Sequence, residues 1–262
     1  MATGLVPFFV FIFGCAIGSF LNVLRYRLPR NMNIVSERSK CPNCHRTIAW
    51  YDNIPVASLL VLRRKCRWCG WRIPWVYLII EVSTGVAFLL VWLNFPLIEV
   101  PAYLVLASLL IVCAGIDYDL RIIPDHLTLP GVVLGLVFSV TLLKPGSVEA
   151  GLLRSLLGIA VGGGSLVLLA VAYKFFRRIE GMGGGDIKLM AMVGAFLGWK
   201  LSLVTIFLGA LTGGIIGVAI ARRSSLGMKT AVPFGVFLSP AAVASMLWGN
   251  ALLREYLNLL AR

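Results

Sequence analysis

Two aspartates and four cysteines are the residues of this 262-residue chain whose surroundings point to chemistry. Asp117 closes the almost wholly apolar run ASLLIVCAGID, and Asp186 follows directly on the glycines of GMGGGDIKL. An ionisable group at or within an apolar span is costly, so function is the default reading for both. Two carboxyl groups brought close cannot both ionise cheaply; one keeps a proton, and the pair can then activate a water while polarising a carbonyl. A helix N-terminus favours an anion and a C-terminus disfavours one. Asp186, opening its segment, therefore reads as the base, and Asp117, closing its own, as the acid. Asp119 competes with Asp117, but two positions along a helix turn the side chain by about 200°, so only one can face a common partner. The one nearer the apolar run is Asp117. Among Gly181, Gly183, Gly184 and Gly185, the pair Gly183 and Gly185 is expected to let the loop bring Asp186 to an extended peptide and offer it backbone hydrogen bonds.

The cysteines form two C-x-x-C pairs, Cys41 with Cys44 and Cys66 with Cys69, separated by 21 residues. Four thiolates so spaced can close a tetrahedral zinc site, each turn supplying two ligands, and a closed site of this kind is structural. Disulfides are the competing reading, disfavoured if the loop faces a reducing cytoplasm. His45 beside Cys44 is expected at the surface. Cys15 and Cys113 sit in apolar runs and behave as small hydrophobes.

The elements that must position these groups are membrane spans. Hydrophobic residues make up 59% of the chain, mean hydropathy is +0.92 and only 13% of residues are charged, more apolar than a water-soluble core of this length needs. The expected fold is an all-α polytopic membrane protein of about eight transmembrane helices, near 4–24, 75–95, 100–118, 126–143, 152–173, 187–199, 201–221 and 231–252. The sixth and seventh could be one bent span through Gly198. The first is read as a retained helix, because a basic loop and no small-residue cleavage site follows it. Three parts result: a first helix (1–24), a cytoplasmic zinc-binding loop (25–74) and a membrane core carrying both aspartates (75–262).

The net charge of +13 follows from topology. Placing the loop from Arg25 to Arg72 in the cytoplasm puts 19 of the 24 lysines and arginines on that side, the positive-inside bias, with both chain ends outside. No nucleic acid partner is expected; the lipid bilayer is. Most other acids have ordinary settings: Asp52 as a loop charge in water, Asp125 at a helix start beside an interfacial His126. Glu81 lies inside the second span, where a helix-packing hydrogen bond and a substrate contact are both open. Gly162 to Gly164 read as helix-packing residues.

The residues carry a resemblance. Gly183, Gly185 and Asp186 match the GxGD motif of intramembrane aspartyl proteases, and the chain resembles the type IV prepilin peptidases in five blocks taken in order: GCAIGSFLNVLRYRLP (14–29), the cysteine pairs around DNIP (52–55), IDYDLRIIPDHLTLP (116–130), the GxGD block and PFGVFL (233–238). The resemblance implies that Asp117 and Asp186 are the catalytic pair. It also implies that the substrates are prepilins and type II secretion pseudopilins, cut after a basic leader at a Gly-Phe type bond on the cytoplasmic side of the bacterial inner membrane. Many members then methylate the new N-terminus with S-adenosylmethionine, an activity associated with the cysteine loop. The chain departs from the pattern at Arg64, where many members have glycine and where a bulky cation bears on methyl transfer; at Asp52, where glutamate is common; and at Val236, in place of a second proline. An ion- or proton-coupled transporter using Asp117 and Asp186 is the alternative, since such proteins also bury aspartates near broken helices.

Overall fold

In the computed structural model, which describes residues 5–34, 38–143, 146–178, 183–223 and 233–260, the chain is helical, and no strand forms among the described residues. Six of these helices are long and apolar enough to cross a membrane, so the protein is an all-α polytopic membrane protein. The chain divides into two compact units, Met1–Pro96 and Leu97–Arg262.

The first unit is a helix pair with a module between its arms. Helix α1 (Leu5–Arg27) packs along α3 (Trp75–Asn94). Twenty-three residues at about 1.5 Å each exceed the roughly 30 Å of a bilayer core. The two helices touch backbone to backbone because the seam is small: a Cβ on Gly14 would lie 2.8 Å from the Gly85 Cα, and one on Gly18 only 2.7 Å from the Glu81 Cα. Such small-residue seams maximise van der Waals contact where lipid removes the hydrophobic incentive to associate. The segment between the arms holds only short pieces: 3-10 turns at Leu28–Arg30 and Trp50–Asn53, helix α2 (Ala57–Val61) and two isolated antiparallel bridges, Lys40 to Thr47 and Lys65 to Arg72.

The second unit has six helices: α4 (Val100–Leu120), α5 (Asp125–Thr141), α6 (Val148–Arg177), α7 (Gly184–Leu197), α8 (Trp199–Arg223) and α9 (Gly235–Leu260). At 14 residues α7 reaches about 21 Å, too short to cross alone, and its residues from Met192 to Leu197 are all buried. A helix that is apolar all round belongs in a core, and α7 packs against α5, α6 and α8. Its contact with α6 is the closest in the unit, since a Cβ on either Gly158 or Gly194 would land on the other's carbonyl. The Ser155 hydroxyl donates to the Ala195 carbonyl at 2.9 Å in the same seam. Gly162 and Gly163 extend this contact along α7, against Met190 and Ala191, whereas Gly164 faces open space. Between α7 and α8 stands Gly198 at φ +79°, a left-handed turn that glycine adopts without penalty. The sixth and seventh segments are thus separate helices, not one bent span.

Candidate functional site

Asp117 lies in the last turn of α4 and is 5% exposed, whereas Asp119 faces outward. The helix ends when Arg121 turns left-handed at φ +57°, its amide donating to the Asp117 carbonyl at 2.9 Å. From the other side α9 begins. The Val236 amide, in its first turn, donates to Asp117 Oδ2 at 3.1 Å. That contact requires Gly235: a Cβ there would stand 2.8 Å from the same oxygen and 2.9 Å from Ile123 Cδ1. Ile123 is wedged in turn against the start of α7, where a Cβ on Gly185 would come within 2.9 Å of its Cβ. Asp186, half-buried in the first turn of α7, lies within electrostatic range of Asp117. The two aspartates therefore belong to one site, formed where the C-terminus of α4 meets the N-termini of α7 and α9. Gly183 is the exposed residue before α7, and among the described residues a Cβ on it would meet the Asp186 carboxylate at 3.9 Å; Gly185 is the spacer against Ile123. Gly181 lies outside the described residues.

The expected asymmetry between the carboxylates rested on α4 and α7 alone. Helix α9 aims a third terminus at Asp117, so each carboxylate faces the positive end of a helix dipole. Sequence reasoning missed this contact because it joins residues 119 positions apart, and only the PFGVFL block hinted that the segment mattered. Replacing Gly235 with alanine is expected to lower the cleavage rate proposed below by about a hundredfold, since displacing a reacting group by a fraction of an ångström to 1 Å costs on that order. An unchanged melting temperature together with an unchanged rate would contradict the geometry.

A second pair ties α7 to α5. Lys188 on α7 holds both oxygens of Asp125 on α5 at 2.7 Å. Asp125 does start its helix, as its position after Pro124 suggests, but it also braces the helix that carries Asp186. Both side chains are substantially exposed, and such a pair is worth about 0.5–1 kcal/mol. Asp125→Asn and Lys188→Met should each slow cleavage about threefold, and the double exchange Asp125→Lys with Lys188→Asp should restore part of it. Equal slowing by the double exchange would assign the effect to the individual residues.

In the first unit the four cysteine sulfurs lie within 4.8 Å of one another, with Cys41 Sγ 3.8 Å from Cys69 Sγ and Cys44 Sγ 4.0 Å from Cys66 Sγ. All are free thiols. A tetrahedral ion with bonds of about 2.3 Å holds its sulfurs about 3.8 Å apart, so the cluster fits a metal ion and not a disulfide pair. Each C-x-x-C turn is closed in the same way. The Cys41 amide donates to the Arg46 carbonyl and the Cys66 amide to the Trp71 carbonyl, at 2.9 and 2.8 Å. The residue after each second cysteine, His45 or Gly70, is left-handed, at φ +57° and +68°. His45 is thus a turn residue outside the ligand set. Burial pushes the Cys41 thiol up to about 11. Hydrogen bonds from the Asn43 side chain and the Trp71 backbone bring Cys69 down to about 6.

Beside the cluster is a cavity of about 450 Å³, lined by the buried Glu81 and Asn22, the rings of Tyr26, Trp68, Trp71 and Tyr77, and the cations Arg38, Lys40 and Arg46. Glu81 accepts the Val56 amide at 2.8 Å, holding that loop residue in a left-handed conformation at φ +61°. It therefore fastens the module to α3, a role beyond packing one helix on another. Asp52 is no solvated loop charge: Arg67 grips both its oxygens at 2.8 and 2.6 Å, and the guanidinium holds its carboxyl below the ordinary carboxylate range. Arg64 adopts φ +55°, a conformation that costs an L residue about 1–2 kcal/mol and that glycine adopts without strain. Its side chain is absent from the cavity lining and lies over the Trp75 ring at 3.6 Å.

Residues 12–95 match the family model described as the bacterial peptidase A24 N-terminal domain, and residues 104–218 match that of the type IV leader peptidase family. Curated relatives named prepilin leader peptidase/N-methyltransferase include one from Myxococcus xanthus, 39% identical over 80% of this chain and 62% of its own length. Another, from Aeromonas salmonicida, is 33% identical over 95% of this chain and 93% of its own. A third, from Pseudomonas aeruginosa, is 34% identical over 94% and 92%. The transporter alternative finds no support in these names. No solved structure matches the chain significantly.

Proposed function

The chain belongs to the type IV leader peptidase family, and from that membership we propose that it removes the basic leader from prepilins and type II secretion pseudopilins at the cytoplasmic face of the bacterial inner membrane, and then methylates the new N-terminal amine. The observation that carries the first activity is the convergence of Asp117 and Asp186 where three helix ends meet.

The Gly-Phe type bond to be cut lies where the substrate's apolar helix begins, and a helix must open before its bonds become accessible. The exposed backbone at Gly183 and Gly184 offers an edge for the opened strand. The two carboxyl groups share one proton between them. The ionised one takes a proton from water as the oxygen attacks the scissile carbonyl, and the protonated one donates to the developing oxyanion. Collapse returns that proton to the carboxylate, the C–N bond breaks, and the proton taken from water passes to the departing amine. Since both carboxylates face helix N-termini, base and acid belong to the pair jointly.

Zinc, held by Cys41, Cys44, Cys66 and Cys69, is structural in this reading. The methyl donor, S-adenosylmethionine, supplies an electrophilic methyl group when bound, and the 450 Å³ cavity suits it. Glu81 and Asn22 would pair with its amine and hydroxyls, Arg38, Lys40 and Arg46 with its carboxylate, and the rings with its base and sulfonium. Arg64, turned away onto Trp75, leaves this space open. Incubation of the purified protein with a prepilin and S-adenosylmethionine, read by mass spectrometry of the pilin N-terminus, tests both activities. Leader loss with one added methyl group is expected; an intact leader overturns the reading.

A further inference from the structure

Helix α2 ends at Val61, and the short run from Leu60 through Leu62, Arg63 and Arg64 to Lys65 has three properties that neither proposed activity uses. Leu60 and Val61 are 65% and 78% exposed, unusual for aliphatic side chains in a polar loop. Arg63 and Arg64 are both left-handed, at φ +48° and +55°, and the backbone is pinned there: the Arg63 amide donates to the Leu60 carbonyl at 3.1 Å, the Arg64 amide to the Leu59 carbonyl at 2.8 Å, and the Ile73 amide to the Arg64 carbonyl at 2.8 Å. The Arg64 guanidinium stacks on Trp75, which opens a membrane-spanning helix and is itself 58% exposed, one turn before the 60% exposed Ile79.

The stack fixes the level of the run, because Trp75 at the head of a span marks the interface between headgroups and acyl chains. Arg64 holds the end of α2 at that level, three residues past Val61. The exposed Leu60 and Val61 therefore stand near the level of the head of α3, with three cations next to them in sequence. A chain that keeps arginine at a left-handed position where glycine is unstrained gains something from the guanidinium itself.

We propose that α2 is a membrane-surface anchor: Leu60 and Val61 enter the acyl boundary of the bilayer while Arg63, Arg64 and Lys65 bind the phosphates of anionic phospholipids. Two apolar side chains give shallow insertion, and the cations give headgroup preference near an anionic surface. A second copy of the chain would have to bring the same cations against themselves, which disfavours self-association through this face.

The test places p-benzoylphenylalanine at Val61 in the full-length protein, reconstituted in vesicles of equal phosphatidylcholine and phosphatidylglycerol, and identifies the photoadducts by mass. Phospholipid adducts are expected, with phosphatidylglycerol favoured at least threefold. Arg63→Gln with Arg64→Gln should bring that ratio down toward one without abolishing lipid adducts. Arg64→Gly, which relieves the backbone, should lower the ratio while the module keeps its full complement of zinc, so a loss cannot be laid to unfolding. Absence of lipid adducts, adducts mainly to a second copy, or equal labelling by both headgroups in the parent sequence each overturns the proposal.

Discussion

Asparagine at position 117 or 186 is expected to reduce leader cleavage by about 10³-fold or more while leaving the protein folded and inserted. Asparagine keeps the shape and one acceptor oxygen, so the Val236 amide still has a partner at position 117 and packing around α4 and α7 is undisturbed. What it removes is the proton: an amide neither takes one from water nor returns one to a leaving amine, and acid–base steps of this kind are worth about 10²–10⁴-fold. Residues that act as one unit also fail together, so the double variant should be no worse than either single one. The measurement is the single-turnover rate on a purified prepilin, with the melting temperature as control. An effect confined to KM, or two single losses that multiply in the double variant, would show the carboxylates acting separately.

The membrane architecture is legible in the sequence because one property, apolar length, decides it. Each of the eight expected segments holds a helix, and the only ambiguity, at Gly198, is settled by a left-handed turn that a glycine in that place permits but does not require. The two aspartates could be singled out because burying a carboxyl in an apolar run costs so much that chance seldom leaves one there. The partners of these side chains were not legible. Val236 with Asp117, Lys188 with Asp125 and Arg67 with Asp52 join residues 119, 63 and 15 positions apart, and no helical period links positions brought together by tertiary packing. The helix-end argument was incomplete for the same reason: it weighed the helix on which Asp117 sits and could not see the one that points at it. Arg64 shows the reverse case, in which a residue odd in the sequence becomes intelligible only from its dihedral angles and its ring contact.

Losing one metal ligand is expected to cost the first unit its whole intervening module. Among the described residues from 28 to 74, Cys41 and Leu59 are the only apolar side chains in the buried core, and the regular structure is one five-residue helix, two 3-10 turns and two isolated bridges. So little burial cannot offset the entropy of ordering that many residues. A structural zinc site supplies about 10–16 kcal/mol of apparent binding energy, which becomes folding energy when the apo segment has no structure of its own. Cys41→Ser should therefore bind less than a tenth of an equivalent of zinc and open the module to limited proteolysis. It should also abolish S-adenosylmethionine binding, because Cys41 and Cys66 line the cavity. In the parent protein, binding must expel at least the proton that burial holds on Cys41, whose thiol is pushed up to about 11; zinc affinity should then rise at least about tenfold per pH unit near neutrality. Direct metal analysis, trypsin digestion and calorimetry with the methyl donor measure the three outcomes. A serine variant that stays protease-resistant without metal would show that packing, and not the ion, holds the module together.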